Sequence, residues 1–213
     1  SIKEQGLDCK NAFSGVYLPS EVNKKRLPIK EAKLKQLQKE CIHLDDDIRW
    51  LVALVSDTGM RLSEAVGLLV DDLVIDAQQP YVNLIVHPHR RLKTDSSERI
   101  IPLVGTSLWA AQRIKQTQNS QFCFARYCDT DNCNSNSASA AINKWIKTIA
   151  GTEAVIHGFR HGFRDRLRAV EAPVDMIDQL GGWSLRSVGQ GYGDGYPLES
   201  LYRWMEKIVL PQS

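Results

Sequence analysis

The segment "DDDIRWLVALVSDTGMRLSEAVGLLVDDL", residues 45–73, constrains the chain most tightly. Ile48, Leu51, Val52 and Val55 recur at helical spacing, and Leu62, Ala65, Val66 and Leu69 do the same after an interruption at Thr58-Gly59. Apolar residues at this period line one face of a helix, and a glycine between two such runs marks a break. The pattern predicts a buried helix, a tight turn, and a second helix opening near Arg61. Two consecutive helices of this kind need further elements to cover them.

Those elements are legible on both sides. From Pro28, "PIKEAKLKQLQKE" reads as a helix with Leu34 and Leu37 on its apolar stripe. In "YVNLIVHPHRRLKTDSSERIIPL", Val82, Leu84 and Val86 alternate, polar turn residues follow, and "RIIPL" closes as a second short strand. This predicts a small antiparallel sheet, with Lys93 at or beside its turn. Two further helices flank a Ser/Asn-rich loop at residues 129–139. A helix follows from about His157, another over Val174–Leu180, and a last amphipathic one in "LESLYRWMEKIVL", where Leu201, Trp204 and Ile208 share a stripe. That last helix can pack on its own chain or on a neighbour. The fold class is mainly α with a small antiparallel β-sheet.

With 213 residues, 43% hydrophobic and 24% charged, the chain suits a globular protein with a sizeable core. No apolar run is long enough to span a bilayer and no signal-peptide pattern opens the chain, so no membrane association is expected. Five cysteines, Cys9, Cys41, Cys123, Cys128 and Cys133, form an odd, scattered set that fits a reducing compartment better than a disulfide framework. Four residues separate Cys123 from Cys128 and Cys128 from Cys133, unlike the paired knuckles of structural zinc, and no metal is expected. Residues 1–26 mix polar residues, Gly15, Pro19 and the run "NKKR" without a period, and read as a linker or extended arm.

The net charge of +2 conceals blocks. Residues 1–40 hold nine basic and five acidic side chains, residues 81–128 seven and two, and residues 157–168 four arginines and one aspartate. Residues 41–80 reverse the balance, with two and eight. If the basic blocks converge they attract a polyanion; if not, they are solvated faces of separate helices.

"HGFRHGFRDRLRAV", from His157, sharpens the question. As a helix it places Phe159, Phe163, Leu167 and Val170 toward the core, Arg160, Arg164 and Arg168 on a second stripe, and His157 and His161 on a third edge. His157 and Arg160 fall in the first turn, where free N–H groups and the helix dipole favour a phosphate. The two histidines have the spacing of a zinc helix, but Gly158 stands where the glutamate of H-E-x-x-H is required.

Together, "TGMRLSEAVGL" (58–68), "HGFRH" (157–161), "GGW" (181–183) and Tyr192 resemble the catalytic domain of the tyrosine recombinases, the phage integrase family. Arg61 and Glu64 match its first box, and His157 and Arg160 its H-x-x-R motif. Trp183 stands 23 residues beyond Arg160, and Tyr192 nine further on, as the family's spacing requires. Lys93 suits the family's hairpin lysine. Gly181 departs from the usual leucine, Trp183 replaces the commoner histidine, and the lysine turn is slightly longer than usual. The resemblance covers residues 27–213 and implies that the arm at 1–26 leads from a separate N-terminal DNA-binding domain.

It further implies cleavage and rejoining of double-stranded DNA through a covalent 3′-phosphotyrosine, with no metal or nucleotide cofactor. Tyr192 is then the nucleophile, His157 the general base, and Arg61 and Arg160 the clamp on the non-bridging oxygens. Trp183 donates its indole N–H to the phosphate, Lys93 protonates the leaving 5′-oxygen, Glu64 braces the arginines and His161 supports them. Tyr196 and Tyr202 compete with Tyr192 for the nucleophile's role, and spacing favours Tyr192. A homotetramer on two DNA sites is implied, with accessory proteins undefined, acting in the cytoplasm of a bacterium or on behalf of a phage. The rival readings are a type IB topoisomerase-like nicking and closing enzyme and a non-catalytic DNA-binding domain that kept the fold.

Overall fold

The computed structural model describes residues 27–93, 97–117, 119–183 and 195–211. Residues 1–26, expected to be a linker or extended arm, and Tyr192 lie outside them. The first helix, α1 (Glu31–Leu44), buries Leu34, Leu37, Gln38 and Cys41 along one stripe and ends at Asp45 in a left-handed conformation. Asp46 then caps α2 (Asp47–Thr58), its carboxylate accepting the Arg49 backbone N–H at 3.0 Å. Capping by aspartate satisfies one of the open donors of a first helical turn.

Every residue of α2 from Trp50 to Thr58 is buried, so its periodic face is only part of what it packs. The helix lies at the centre, against α1, α4 (Gly105–Thr117) and α6 (His157–Ala169). Asp57, on its last turn, ties three of these together. The carboxylate accepts Gln38 Nε2 at 3.0 Å, the Thr106 hydroxyl at 2.6 Å and Arg166 at 2.9 Å. Gly59 ends α2 with φ +62°, and a Cβ there would lie 2.3 Å from the Phe163 ring. The break is glycine for two reasons, backbone conformation and the close approach of α6. It turns the chain into the short α3 (Leu62–Val66), with Arg61 at its N-cap.

A 3₁₀ turn over Val70–Asp72 leads to β1 (Leu73–Val74), β2 (Tyr81–Leu84) and β3 (Arg99–Pro102), an antiparallel sheet in that order. The register pairs Leu73 with Val82, Tyr81 with Pro102 and Leu84 with Arg99. Val82 and Leu84 face the core as the alternation predicts, but the strand stops there. Val86, expected to continue it, is 55% exposed, because the chain bends into a turn closed between His87 and Arg90.

α4 and α5 (Ser135–Ala150) flank the polar stretch at 129–139, whose second half belongs to α5, started by the Asn134 cap on the Ser137 N–H at 3.0 Å. An isolated bridge brings the Cα atoms of Cys128 and Cys133 to 4.3 Å, and the two are joined as a disulfide. This corrects the expectation of unpaired cysteines, which cysteine number and spacing alone could not refine: the pairing depends on the turn between them. Cys41 and Cys123 are buried in the core.

The core stripe of α6 is Phe159, Phe163 and Leu167, with Val170 half-buried at the cap. α7 (Val174–Gly181) packs on α6 and on β3, and α8 (Leu198–Lys207) on β3. Leu201, Met205 and Ile208 are buried within the same chain, and Arg166 donates to the Ile208 carbonyl at 3.0 Å. Within this chain the last helix packs on β3. No helix among the described residues is long and apolar enough to cross a membrane.

Candidate active site

The C-terminal end of α7 is where distant segments converge. Three consecutive carbonyls there accept from three arginines of different elements. Leu180 O accepts Arg99 Nε at 2.9 Å, Gly181 O accepts Arg160 at 2.5 Å and Gly182 O accepts Arg61 at 3.3 Å. The last carbonyls of a helix lack partners within it and carry the negative end of its dipole, so guanidiniums are drawn to them. Gly182 ends the helix with φ +58°, and a Cβ on it would stand 2.6 Å from Arg99 Nη1. Only glycine lets the arginine approach this closely.

Arg61 reaches the site from the N-cap of α3. One turn on, Glu64 is buried and spans two of the arginines. Its Oε1 lies 2.5 Å from Arg61 Nη1, while Oε2 accepts the Arg61 backbone N–H at 2.9 Å and Arg99 Nη2 at 3.0 Å. Burial, the largest influence on this carboxyl, raises its pKa, but the Arg99 charge and the hydrogen bonds from Arg99 and Arg61 together hold it below the usual glutamate value. Ser97, also buried, accepts Arg61 Nη1 at 3.3 Å through its hydroxyl and Arg99 Nη1 at 2.6 Å through its carbonyl.

Arg160 enters from the first turn of α6 and also donates to Gly59 O at 2.7 Å, linking the α2 break to the end of α7. Burial and then the neighbouring Arg61 charge push its pKa down to about 9. A guanidinium this destabilised is still protonated at neutral pH, and a bound anion would relieve it. Arg164, one turn along α6, pairs with buried Asp178 at 2.9 Å. The Trp183 ring covers both, with Arg160 and Arg164 at 4.4 and 4.7 Å from its centroid. Four guanidiniums thus share one corner with two carboxylates, and the corner is positive.

Of the residues singled out from sequence, Arg61, Glu64, Arg160 and Trp183 are brought together here. His157 opens α6, exposed, with its ring edge-on to that of His161 at 5.0 Å. Lys93 is exposed on the loop after β2. Tyr192 lies outside the described residues. Of its competitors, Tyr196 donates its hydroxyl to Asp175 at 3.0 Å, a bond that raises its pKa, and burial raises that of Tyr202. Arg168, expected on the arginine stripe, is exposed and 3.7 Å from Asp165.

Sequence reasoning missed Arg99 and Ser97. Arg99 occupies an inward position of β3, where an apolar residue belongs, and an inward arginine on a strand is the signal that was available. Arg164 was counted only as part of a stripe, and its contacts with Asp178 and Trp183 depend on where α7 packs.

An arginine at the N-cap of α3, an inward strand arginine and an arginine on the first turn of α6 thus form a cationic cluster on a mainly helical scaffold. Residues 28–196 match the phage integrase family, and the chain belongs to that family. Among solved structures, the chain is similar to XerA recombinase, with a TM-score of 0.55 and 16% identity over 95% of this chain and 66% of that one. It is also similar to the Tn1549 transposon integrase in complex with transposon right end DNA, with a TM-score of 0.58 and 16% identity over 96% of this chain and 73% of that one. The same integrase in complex with circular intermediate DNA gives 0.58 at 17% identity. These likenesses are of fold. Among curated proteins, none matches the chain.

Proposed function

We propose that this chain is the catalytic domain of a site-specific recombinase that cuts and rejoins double-stranded DNA through a 3′-phosphotyrosine at Tyr192. One observation carries the reading: Arg61, Arg99 and Arg160, from three separate segments, converge on three consecutive carbonyls and leave a surplus of positive charge. Arg61 and Arg160 are the pair that binds the non-bridging oxygens, where charge grows in the pentacovalent transition state. Glu64 and Arg99 hold Arg61 in place. The Tyr192 phenol attacks phosphorus and His157 takes its proton, while the bond to the 5′-oxygen breaks and Lys93 protonates that oxygen. Attack by the freed 5′-hydroxyl on the phosphotyrosine reverses the sequence and rejoins a strand, with no metal or nucleotide required. Trp183 covers Arg160 and offers its indole N–H at the pocket. The catalytic domain spans 27–213, residues 1–26 form the arm from a further DNA-binding domain, and four copies act on two duplexes in the cytoplasm.

The family's DNA-bound integrases support the choice of substrate. The test is a duplex nicked beside the cleavage site, which loses its leaving strand and traps the adduct. The protein carrying its own arm and partner domain should form a covalent complex, mapped to Tyr192 and lost in Tyr192→Phe. Absence of any adduct with the unaltered residue would favour a DNA-binding module instead. Joining of two sites, rather than relaxation of one supercoiled circle, separates a recombinase from a nicking and closing enzyme.

A further inference from the structure

The loop after β2 is open to solvent at Ile85 and Val86, 38% and 55% exposed, yet Arg90 within it is only 3% exposed. Its side chain runs inward past Gly67, where a Cβ would come within 2.5 Å of the arginine Cδ. Arg90 Nη1 donates to the backbone carbonyl of Glu64 at 3.1 Å, and Nη2 donates to Ile85 O. Asp72 lies 3.7 Å from the same guanidinium and binds His87 Nε2 at 2.9 and 3.0 Å. The backbones of His87 and Arg90 close on one another, at 3.0 and 3.3 Å, into a tight turn. Asp72 is itself fixed, accepting the Leu69 N–H at 3.0 Å. Burying a guanidinium is costly unless its donors are met, and nothing in the apolar core calls for it here.

The effect of these contacts is to fasten the loop to the residue that braces Arg61. Lys93 follows Arg90 by three residues on that same loop. We infer that Asp72, His87 and Arg90 are positioning residues for Lys93, setting the proton donor of the leaving strand against the arginine clamp. The inference rests on the recombinase reading and on Lys93 as the acid. It predicts a defect of one kind: departure of the 5′-oxygen slows, while phosphate binding and the nucleophile are untouched.

A leaving group that needs no proton isolates that step. In a nicked duplex whose bridging 5′-oxygen at the cut site is replaced by sulfur, the phenol oxygen bonds to phosphorus, the phosphorus–sulfur bond breaks and the thiolate departs with its electron pair. The phenol proton goes to His157, and no acid is required because a thiolate is a stable anion near neutral pH. On ordinary DNA, Arg90→Gln should lower the rate of covalent trapping by roughly ten- to a hundredfold, the scale of a misplaced catalytic group. On the sulfur-bridged duplex it should cleave at close to the unaltered rate, as should Lys93→Ala, whereas Arg61→Ala should fail on both.

An equal defect of Arg90→Gln on the two duplexes, with Lys93→Ala rescued, overturns the positioning role and leaves the recombinase reading intact. If Lys93→Ala is not rescued, Lys93 is not the acid and the inference falls with it. Should Arg90→Gln fail to fold, His87→Ala, at a half-buried position, decides by the same comparison.

Discussion

Gly181→Ala is the sharpest probe of the site because it adds one methyl group at a position whose surroundings are fully specified. Gly181 is the last residue of α7, and a Cβ on it would lie 1.8 Å from Cζ3 and 1.9 Å from Cε3 of Trp183. Carbon atoms in contact sit about 3.5–4.0 Å apart, so the indole must retreat by roughly 2 Å. That takes it off two guanidiniums now 4.4 and 4.7 Å from its centroid. Each such contact contributes about 0.5–2 kcal/mol depending on desolvation. Losing most of both, with Arg160 no longer covered, removes about 1–3 kcal/mol of positioning, or roughly ten- to a hundredfold in rate at 1.36 kcal/mol per decade.

Stability should move little, since alanine favours a helix over glycine by about 0.5–1 kcal/mol and offsets part of the loss. The assay pairs the rate of covalent trapping on a nicked duplex with a thermal melt. Activity should fall while the melting temperature stays within a few degrees. Adding Trp183→His, a smaller ring, should recover part of the rate by relieving the overlap. Trapping by Gly181→Ala at the unaltered rate would refute the argument that the stacked indole holds Arg160.

Arg160→Lys keeps the charge, but an ammonium cannot reproduce a planar fork that reaches Gly59 O and Gly181 O together, so cleavage should drop by about a hundredfold or more while DNA binding persists; near-normal single-turnover cleavage would contradict the clamp. Glu64 is held below its ordinary value of 4.5, so its contribution to stability is complete above that pH and is lost as pH falls through the lower folded value. Glu64→Gln should therefore melt lower at neutral pH, by about 3–5 kcal/mol for a broken buried pair, and show a flatter decline below pH 4.5 in acid titrations followed by circular dichroism. Tyr196→Phe should melt slightly lower through loss of its bond to Asp175 and still form the covalent adduct; disappearance of the adduct would move the nucleophile from Tyr192 to Tyr196.

The elements that periodicity could reveal were those whose residues interact along the chain. The α2 break, the first two inward positions of β2 and the core stripe of α6 follow from spacing, because neighbours in sequence determine them. Val86 shows the limit. Alternation continues through it in the sequence, but Arg90 folds inward and turns the backbone after Leu84, a tertiary demand that a period of two cannot register. The Cys128–Cys133 pairing likewise depends on a turn between the two, which five scattered cysteines do not disclose.

The site divides along the same line. Arg61, Glu64, Arg160 and Trp183, which the fold brings together, were legible as motifs with spacing. Arg99 was not, because its meaning lies in contacts with residues 35 positions before it and 81 after. Its place also explains why the pocket can stay cationic without collapsing. The acid that neutralises it, Glu64, faces inward from α3 and shares its oxygens between Arg99 and Arg61, while Arg160 donates to the backbone carbonyls of Gly59 and Gly181. A carbonyl satisfies a donor's geometry without cancelling its charge. The cluster is therefore held together by dipoles at the end of α7 and by one shared carboxylate, an arrangement that fixes three guanidiniums without cancelling their charge.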